Sequence, residues 1–239
     1  MLYTCRRLLV LSFLSMLGIS CQDQSCSVPR MVNLAIVYDA SLSYEGSLPD
    51  SAQILELGWS LLESGFDVAV TFYPILSRNS YYQPAFSTVC IKAPPAACDP
   101  NEWTYDDQLR QYEKLLIEAK QQLEAQLQIA LHSCLKTYPP HSQQLSDVDG
   151  CLARLETDLN APSRSDVQTI VLVYSDCEQD SLAGEGGEKI AAPIQLPEKT
   201  LIFSFNDPRS PYNPNEVFTG LSVKPLNQIS FQDISKSLL

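Results

Sequence analysis

The chain has 239 residues, 45% of them hydrophobic, which is enough to bury the core of one α/β domain with insertions or of two small domains. Only 18% of the residues are charged, which excludes a disordered acidic tail, and the formal net charge of −12 leads us to expect no nucleic-acid partner. The 2 histidines, His132 and His141, exclude sites that need several imidazole ligands.

Residues 1–20 predict an export signal that is removed from the folded protein. Two arginines precede the apolar run 8–17, and Gly18 and Ser20 stand at the two positions that a signal peptidase inspects. The apolar run is too short for a comfortable membrane span. We therefore expect an exported protein with a short polar tether over 21–31.

The junction between Ser20 and Cys21 is similar to a bacterial lipoprotein signal. Cleavage there would put lipid on Cys21 and hold the protein in the cell envelope, so that the membrane is contacted through the anchor only. Gly18 stands where that pattern has a branched aliphatic residue, and ordinary secretory cleavage is the alternative. Cysteine parity favours the lipoprotein, because lipidation of Cys21 leaves six other cysteines in the mature chain, an even number.

The remaining cysteines predict three disulfides in an oxidising compartment, with free buried thiols as the alternative. Cys90 and Cys98 enclose a loop with two consecutive prolines, so we expect them to pair. Cys134 and Cys151 flank a turn between two helical segments and form the second expected pair. Cys26 and Cys177 are the two cysteines that remain. No Cys-x-x-Cys occurs, so a thioredoxin-like redox role is not expected.

The mature chain alternates apolar strands with amphipathic helices. Strands are expected over 32–38, 66–72, 166–176 and 199–206. Helices are expected over 47–65, 105–135, 145–159 and from about 228. The first helix should begin with Ser47 as its cap and stop at Gly65. This pattern predicts a doubly wound α/β fold with a mostly parallel sheet over 32–239, in which 74–135 is a divergent or inserted segment.

The longest expected helix covers residues 105–135. Apolar residues recur at spacings of three and four between Leu109 and Cys134, which predicts one amphipathic face. We expect this helix to overhang the sheet and to pack on the following helix, 145–159. A coiled coil with a partner is the alternative for its apolar face.

Polar side chains follow two of the apolar strands. Asp39, Ser41 and Ser43 come after the first strand, and Asp176 ends a later one. Ligands of open α/β sheets bind at the carboxyl ends of the strands, so we expect these side chains to meet there. Their oxygens suit Mg²⁺ or Mn²⁺ with several waters retained. The alternative is that they cap helices or form Asx turns.

The motif Asp39-Ala40-Ser41-Leu42-Ser43 resembles the opening motif of von Willebrand factor A domains, whose metal-ion-dependent adhesion site begins with Asp-x-Ser-x-Ser. That family has an aspartate after a later strand, commonly as Thr-Asp-Gly, where this chain has Ser175-Asp176-Cys177. It also has a threonine in a loop, for which Ser146 stands in a similar turn. The resemblance implies a Rossmann-like fold of this type over about 32–225. The metal ligands it implies are Asp39, Ser41, Ser43, Ser146 and Asp176.

An ion held by only two carboxylates keeps positive charge and an exchangeable water, which a carboxylate of a partner can replace. The resemblance therefore implies a binding module, and not an enzyme, that captures a protein partner outside the cytoplasm through Mg²⁺ or Mn²⁺. Two alternatives are a metal-dependent hydrolase that uses Asp39 as nucleophile or ligand, and a metal-free scaffold of the same fold stabilised by disulfides.

Overall fold

The computed structural model describes the chain from Met31 onward, with gaps. The described residues are 31–42, 44, 46, 48–77, 80–83, 85–95, 105–162, 167–179, 189–204, 214–225, 234 and 238. Several sequence-based expectations fall outside them: the signal 1–20 and most of the tether, the helix start at Ser47, and the start of the last helix near 228. Cys21, Cys26, Cys98 and the proposed ligand Ser43 lie outside them as well.

Six strands form the central sheet, in the order β3-β2-β1-β4-β7-β8. They are β1 (Met31–Asp39), β2 (Asp67–Ile75), β3 (Phe86–Ser87), β4 (Gln168–Tyr174), β7 (Thr200–Ser204) and β8 (Val223–Pro225). All neighbours are parallel except β2 and β3, which are antiparallel. A separate two-stranded sheet joins β5 (Glu178–Gln179) to β6 (Lys189–Ile190). The predicted α/β fold with a mostly parallel sheet is confirmed.

The described helices are α1 (Ser51–Glu63), α2 (Tyr105–Thr137), α3 (Val148–Leu159) and α4 (Pro214–Val217), with a 3₁₀ turn at Ser80–Tyr82. The predicted long helix is therefore confirmed. The expected start of α1 is corrected: its N-cap is Asp50, whose carboxylate accepts a hydrogen bond from the Ala52 N–H at 2.9 Å. In the described part of the chain, no helix has the length and apolarity that a membrane span requires.

Side chains that alternate along β1 enter two core layers on opposite faces of the sheet. Leu34 and Ile36 pack with α1 and α2, whereas Ala35 and Val37 pack with α3. Helices therefore cover both faces, and every residue of β1 after Met31 is buried. Such complete burial explains why the strand is a continuous apolar run.

The long helix α2 packs on α1 and not on α3, contrary to expectation. Its buried residues begin at Ala119, whereas Leu109 nearer its start is 37% exposed. Gly58 permits the close approach of α1, because a Cβ there would lie 2.6 Å from the Leu123 side chain. The chain between α2 and α3 runs along the carboxyl edge of the sheet, where Gln143 donates its N–H to the Ala40 carbonyl at 3.1 Å. This path places the two helices on opposite faces.

The same path separates two cysteines that the sequence pairs. Cys134 lies 3.3 Å from the Tyr38 hydroxyl in one core layer, and Cys151 donates to the Tyr73 carbonyl at 3.6 Å in the other. Both are free thiols, so the expected Cys134–Cys151 clamp is not formed. Cys90 and Cys177 are also free, and their expected partners lie outside the described residues.

We expect Cys134 and Cys151 to remain unlinked to each other, because the sheet lies between them. The measurement is peptide mapping of unreduced protein that is unfolded in denaturant and alkylated. The oxidation state of Cys134 should be the same in the Cys151→Ala variant as in the wild type. Recovery of a Cys134–Cys151 linked peptide would contradict the placement of α2 and α3 on opposite faces.

Candidate functional site

The strand order creates a crevice at the carboxyl ends of β1 and β4. From β1 the chain passes through α1 to β2 on one side, and later returns through α3 to β4 on the other side. Tyr38 is in register with Tyr174, so the residues that follow these two strands are neighbours. In open α/β sheets, ligands bind where the strand order reverses in this way.

Asp39 lies at this reversal point and is only 1% exposed. Its Oδ1 accepts the Ser41 N–H at 2.8 Å, and its Oδ2 accepts the Ser175 hydroxyl at 3.1 Å. The Ser41 side chain is fully buried and also hydrogen-bonds to this carboxylate. Two strand ends are thus joined through one buried acid.

Burial raises the pKa of Asp39 to about 6, and the nearby Asp176 carboxylate acts in the same direction. Hydrogen bonds from Ser41 and Ser175 oppose this rise, because they stabilise the charged form. At neutral pH the carboxylate is therefore mostly ionised, at a free-energy cost that its hydrogen bonds only partly offset. A cation bound at this edge would remove that cost.

The turn after β4 contains two further polar contacts. The Ser175 hydroxyl accepts the Cys177 N–H at 2.9 Å, and Asp176 Oδ1 accepts the Glu178 N–H at 3.1 Å. Cys177 has a φ of 61°, in the left-handed region that favours glycine. This geometry gives a physical reason for the glycine that the resembled family commonly has at that position. Burial also raises the pKa of the Cys177 thiol, to about 12.

Ser146 is brought to the same edge of the sheet by the segment before α3. The following residue, Asp147, donates its N–H to the Leu76 carbonyl, just beyond β2, at 2.7 Å. The Asp147 carboxylate accepts the N–H groups of Gly150 at 3.0 Å and Ser80 at 2.8 Å, which fixes the start of α3. Ser146 itself is 3% exposed. Asp147 is thus a structural cap, while Ser146 faces the interior at this edge.

Four of the five predicted ligands are described, and all four lie at the carboxyl edge: Asp39, Ser41, Ser146 and Asp176. Ser175 is not among the predicted ligands, although its hydroxyl contacts Asp39 directly. The sequence position of Ser175 could have predicted this contact. Ser175 lies two residues after Val173, and side chains two residues apart on a strand share a face. This is the face on which Asp39 lies.

The oxygen atoms at this edge are the donors that Mg²⁺ and Mn²⁺ prefer. Among the described residues, no three His, Cys, Asp or Glu side chains converge on a common metal position. The candidate site differs from such a cluster, because it combines two carboxylates with hydroxyls. No protein-family model and no curated protein matches this chain. The family resemblance therefore stays a hypothesis that depends on these residues.

We expect Asp39→Asn to stabilise the metal-free protein at pH 7, because the folded pKa of about 6 lies above the unfolded value near 3.8. The ionised carboxylate costs stability as pH rises between these values, and the full cost of about 2–3 kcal/mol is reached above pH 6. Asparagine avoids this cost. Urea unfolding in EDTA at pH 4 and pH 7 should show a gain that grows with pH.

The control for the loss of a surface carboxylate is Asp50→Asn, since asparagine caps a helix as well as aspartate does. An advantage of Asp39→Asn that is equal at pH 4 and pH 7 would contradict the burial of a titrating carboxylate at this position.

We expect Cys177→Gly to be more stable than Cys177→Ala by about 1 kcal/mol. Both variants lose the buried thiol, but only glycine adopts the left-handed φ of 61° without strain. Thermal or urea unfolding of the two purified variants measures the difference. Equal stabilities, or a more stable alanine variant, would show that the backbone at this turn is not left-handed.

Proposed function

We propose that this protein is a binding module of the von Willebrand factor A type that captures a protein partner through Mg²⁺ or Mn²⁺. The observation that carries the proposal is the contact between Asp39 and Ser175, which joins the ends of β1 and β4 at the reversal of strand order. Asp176 and Ser146 lie at the same edge and add a carboxylate and a hydroxyl.

The hydrogen bonds of Asp39 indicate that Asp39 and Asp176 have different roles in the proposed metal binding. Both of its oxygens already accept a hydrogen bond from the protein, so Asp39 orients the hydroxyls of Ser41 and Ser175 and supplies negative charge behind them. Asp176, which is partly exposed, is the carboxylate nearer to solvent. A divalent ion among these groups keeps positive charge and can accept a carboxylate of the partner in place of water.

A neighbouring apolar side chain gives the partner a second point of contact. Leu42 follows Ser41 directly and is 58% exposed, whereas its backbone N–H is fixed by the Gln143 carbonyl at 2.7 Å. A large exposed apolar residue on a fixed backbone is typical of interaction sites. The proposed partner therefore carries a carboxylate next to an apolar group.

The contacts of Ser175 favour a role in binding over the role of a nucleophile. The Ser175 hydroxyl donates to the Asp39 carboxylate and accepts the Cys177 N–H, so its proton and one of its two lone pairs hold the two strand ends together. A serine nucleophile needs a base such as imidazole that takes its proton during attack. Here the serine contacts a buried carboxylate instead.

The proposed location follows from the first residues of the chain. The export signal over 1–20 and the junction at Cys21 support a protein of the bacterial cell envelope, anchored through lipid on that cysteine.

The free thiols near the site do not interfere with the proposed metal. Mg²⁺ is a hard cation that prefers carboxylate and hydroxyl oxygens to thiols. Cys151 and Cys177, which lie in the core layer that contains Val37, would therefore not compete with the oxygen ligands for Mg²⁺.

We expect Asp39→Ala and, separately, Asp176→Ala to abolish binding of Mg²⁺ or Mn²⁺ while the protein stays folded. Each substitution removes one of two charges that the ion needs, and neither removes an apolar core contact. Ser41→Ala should weaken binding by only about 3–10-fold, because it removes one neutral oxygen. Titration calorimetry with each metal ion measures the affinities, and circular dichroism verifies the fold.

Asp107→Ala is the matched control, because this carboxylate lies on the exposed start of α2, and its metal affinity should equal that of the wild type. Ser146→Ala tests the hydroxyl assigned through the loop: unchanged affinity would leave the metal site in place with Ser175 as the replacement ligand. Normal metal binding by Asp39→Ala would reject this site, and no metal binding by the wild type would favour the metal-free scaffold.

A further inference from the structure

A polar cleft lies at the end of the sheet opposite the candidate metal site. It is a half-open cleft of about 310 Å³ on the face of β1 and β2 that also carries α3. Its lining includes Asn33, Ala69, Thr71, Ser87, Cys90 and Val167. Asn33 and Asp39 are six residues apart on β1, which places the cleft about 20 Å from the candidate metal site. The two sites therefore share no residue.

Three side chains in the cleft form a directional chain of hydrogen bonds. The Ser87 hydroxyl donates to Thr71 Oγ1 at 3.3 Å, and the Thr71 hydroxyl donates to Asn33 Oδ1 at 3.3 Å. This order uses the carbonyl oxygen of Asn33 as acceptor and leaves its amide nitrogen for another partner. It also leaves the lone pairs of Ser87 Oγ available at the start of the chain.

Among the residues that the structure describes, the amide nitrogen of Asn33 has no hydrogen-bond partner, although Asn33 is only 2% exposed and lines the cleft. A buried donor without a partner is costly, and most buried polar groups in native proteins are paired with protein atoms or ordered water. An acceptor oxygen bound in the cleft would satisfy this donor.

The rest of this sheet face shows that the polarity is local. Farther along the strands the face is apolar, with Val37, Val171 and Ile202 in the core layer. At the level of Asn33, the register places Thr169 and Thr200 in a row across β4 and β7, and both are buried. A sheet face that only packs against a helix has no need for such a polar row.

We propose that this cleft binds a small neutral molecule, about the size of a monosaccharide, through a hydroxyl or amide group. That group accepts a hydrogen bond from the Asn33 amide and donates one to Ser87 Oγ, which completes both ends of the chain. The ligand is neutral, because none of the described lining residues is charged. The volume lies near the lower end of the range of about 300–1,000 Å³ that small-molecule sites occupy.

Cys90 provides a direct measurement, because its partly exposed thiol lines the same cleft. The full mature protein is kept reduced with TCEP and treated with iodoacetamide, and mass spectrometry follows alkylation of Cys90. The probe is N-acetylglucosamine, which carries hydroxyls and an amide, and glucose carries hydroxyls alone. Glucuronate is the charged comparison of matched size.

We expect the neutral probes to slow alkylation of Cys90 saturably and glucuronate to have no effect. Ser87→Ala on the two-residue edge strand should weaken protection by about 3–10-fold, the loss of one hydrogen bond. Asn33→Leu should abolish protection, because it removes the buried donor. Thr157→Ala removes an exposed hydroxyl of α3 outside the cleft and should leave protection unchanged.

Three results would overturn the proposal. The first is the absence of saturable protection by either neutral probe in the wild type. The second is unchanged protection in both folded variants, Ser87→Ala and Asn33→Leu, which would give these side chains a structural role only. The third is protection by glucuronate equal to that by the neutral probes.

Discussion

The central strand β1 is bonded on both edges and covered on both faces, and the rest of the molecule depends on this constraint. Every backbone polar group of a buried parallel strand must find its partner in a neighbouring strand, so β1 pairs with β2 along one edge and with β4 along the other. Polar side chains in such a strand cost stability unless other groups satisfy them. Two polar residues of β1, Asn33 and Asp39, lie near its opposite ends and define the two candidate sites.

At the carboxyl end, stability and function make opposite demands. A carboxylate as buried as that of Asp39 lowers the stability of the metal-free fold at neutral pH, and Asp176 adds like-charge repulsion. Hydrogen bonds from Ser41 and Ser175 partly offset this cost, and they orient the Asp39 carboxylate without neutralising its charge. A remaining loss of stability of this kind is typical of binding sites, where residues needed for function are retained although they destabilise the fold.

The segment between α2 and α3 ties the site to the outer layers. Its residue Gln143 hydrogen-bonds to the backbone beyond β1 and, through Oε1, to the Ser77 hydroxyl at 3.0 Å beyond β2. Because the segment runs along the edge of the sheet, Ser146 lies at the strand ends and α3 packs on the face opposite α1 and α2. One segment of the chain therefore determines both which face α3 covers and that Ser146 belongs to the candidate site.

The sequence by itself determined the alternation of elements, the mostly parallel sheet, the long helix and the two strand-end acids, because apolar periodicity and burial act locally. Only the tertiary structure decided which helices share a face, because that choice depends on the path between α2 and α3; Cys134 and Cys151 were paired in error for this reason. Tertiary contact likewise revealed Ser175 as the partner of Asp39, and Asn33 as a buried donor that no described residue pairs with. Such contacts join residues far apart in sequence, and no local pattern encodes them.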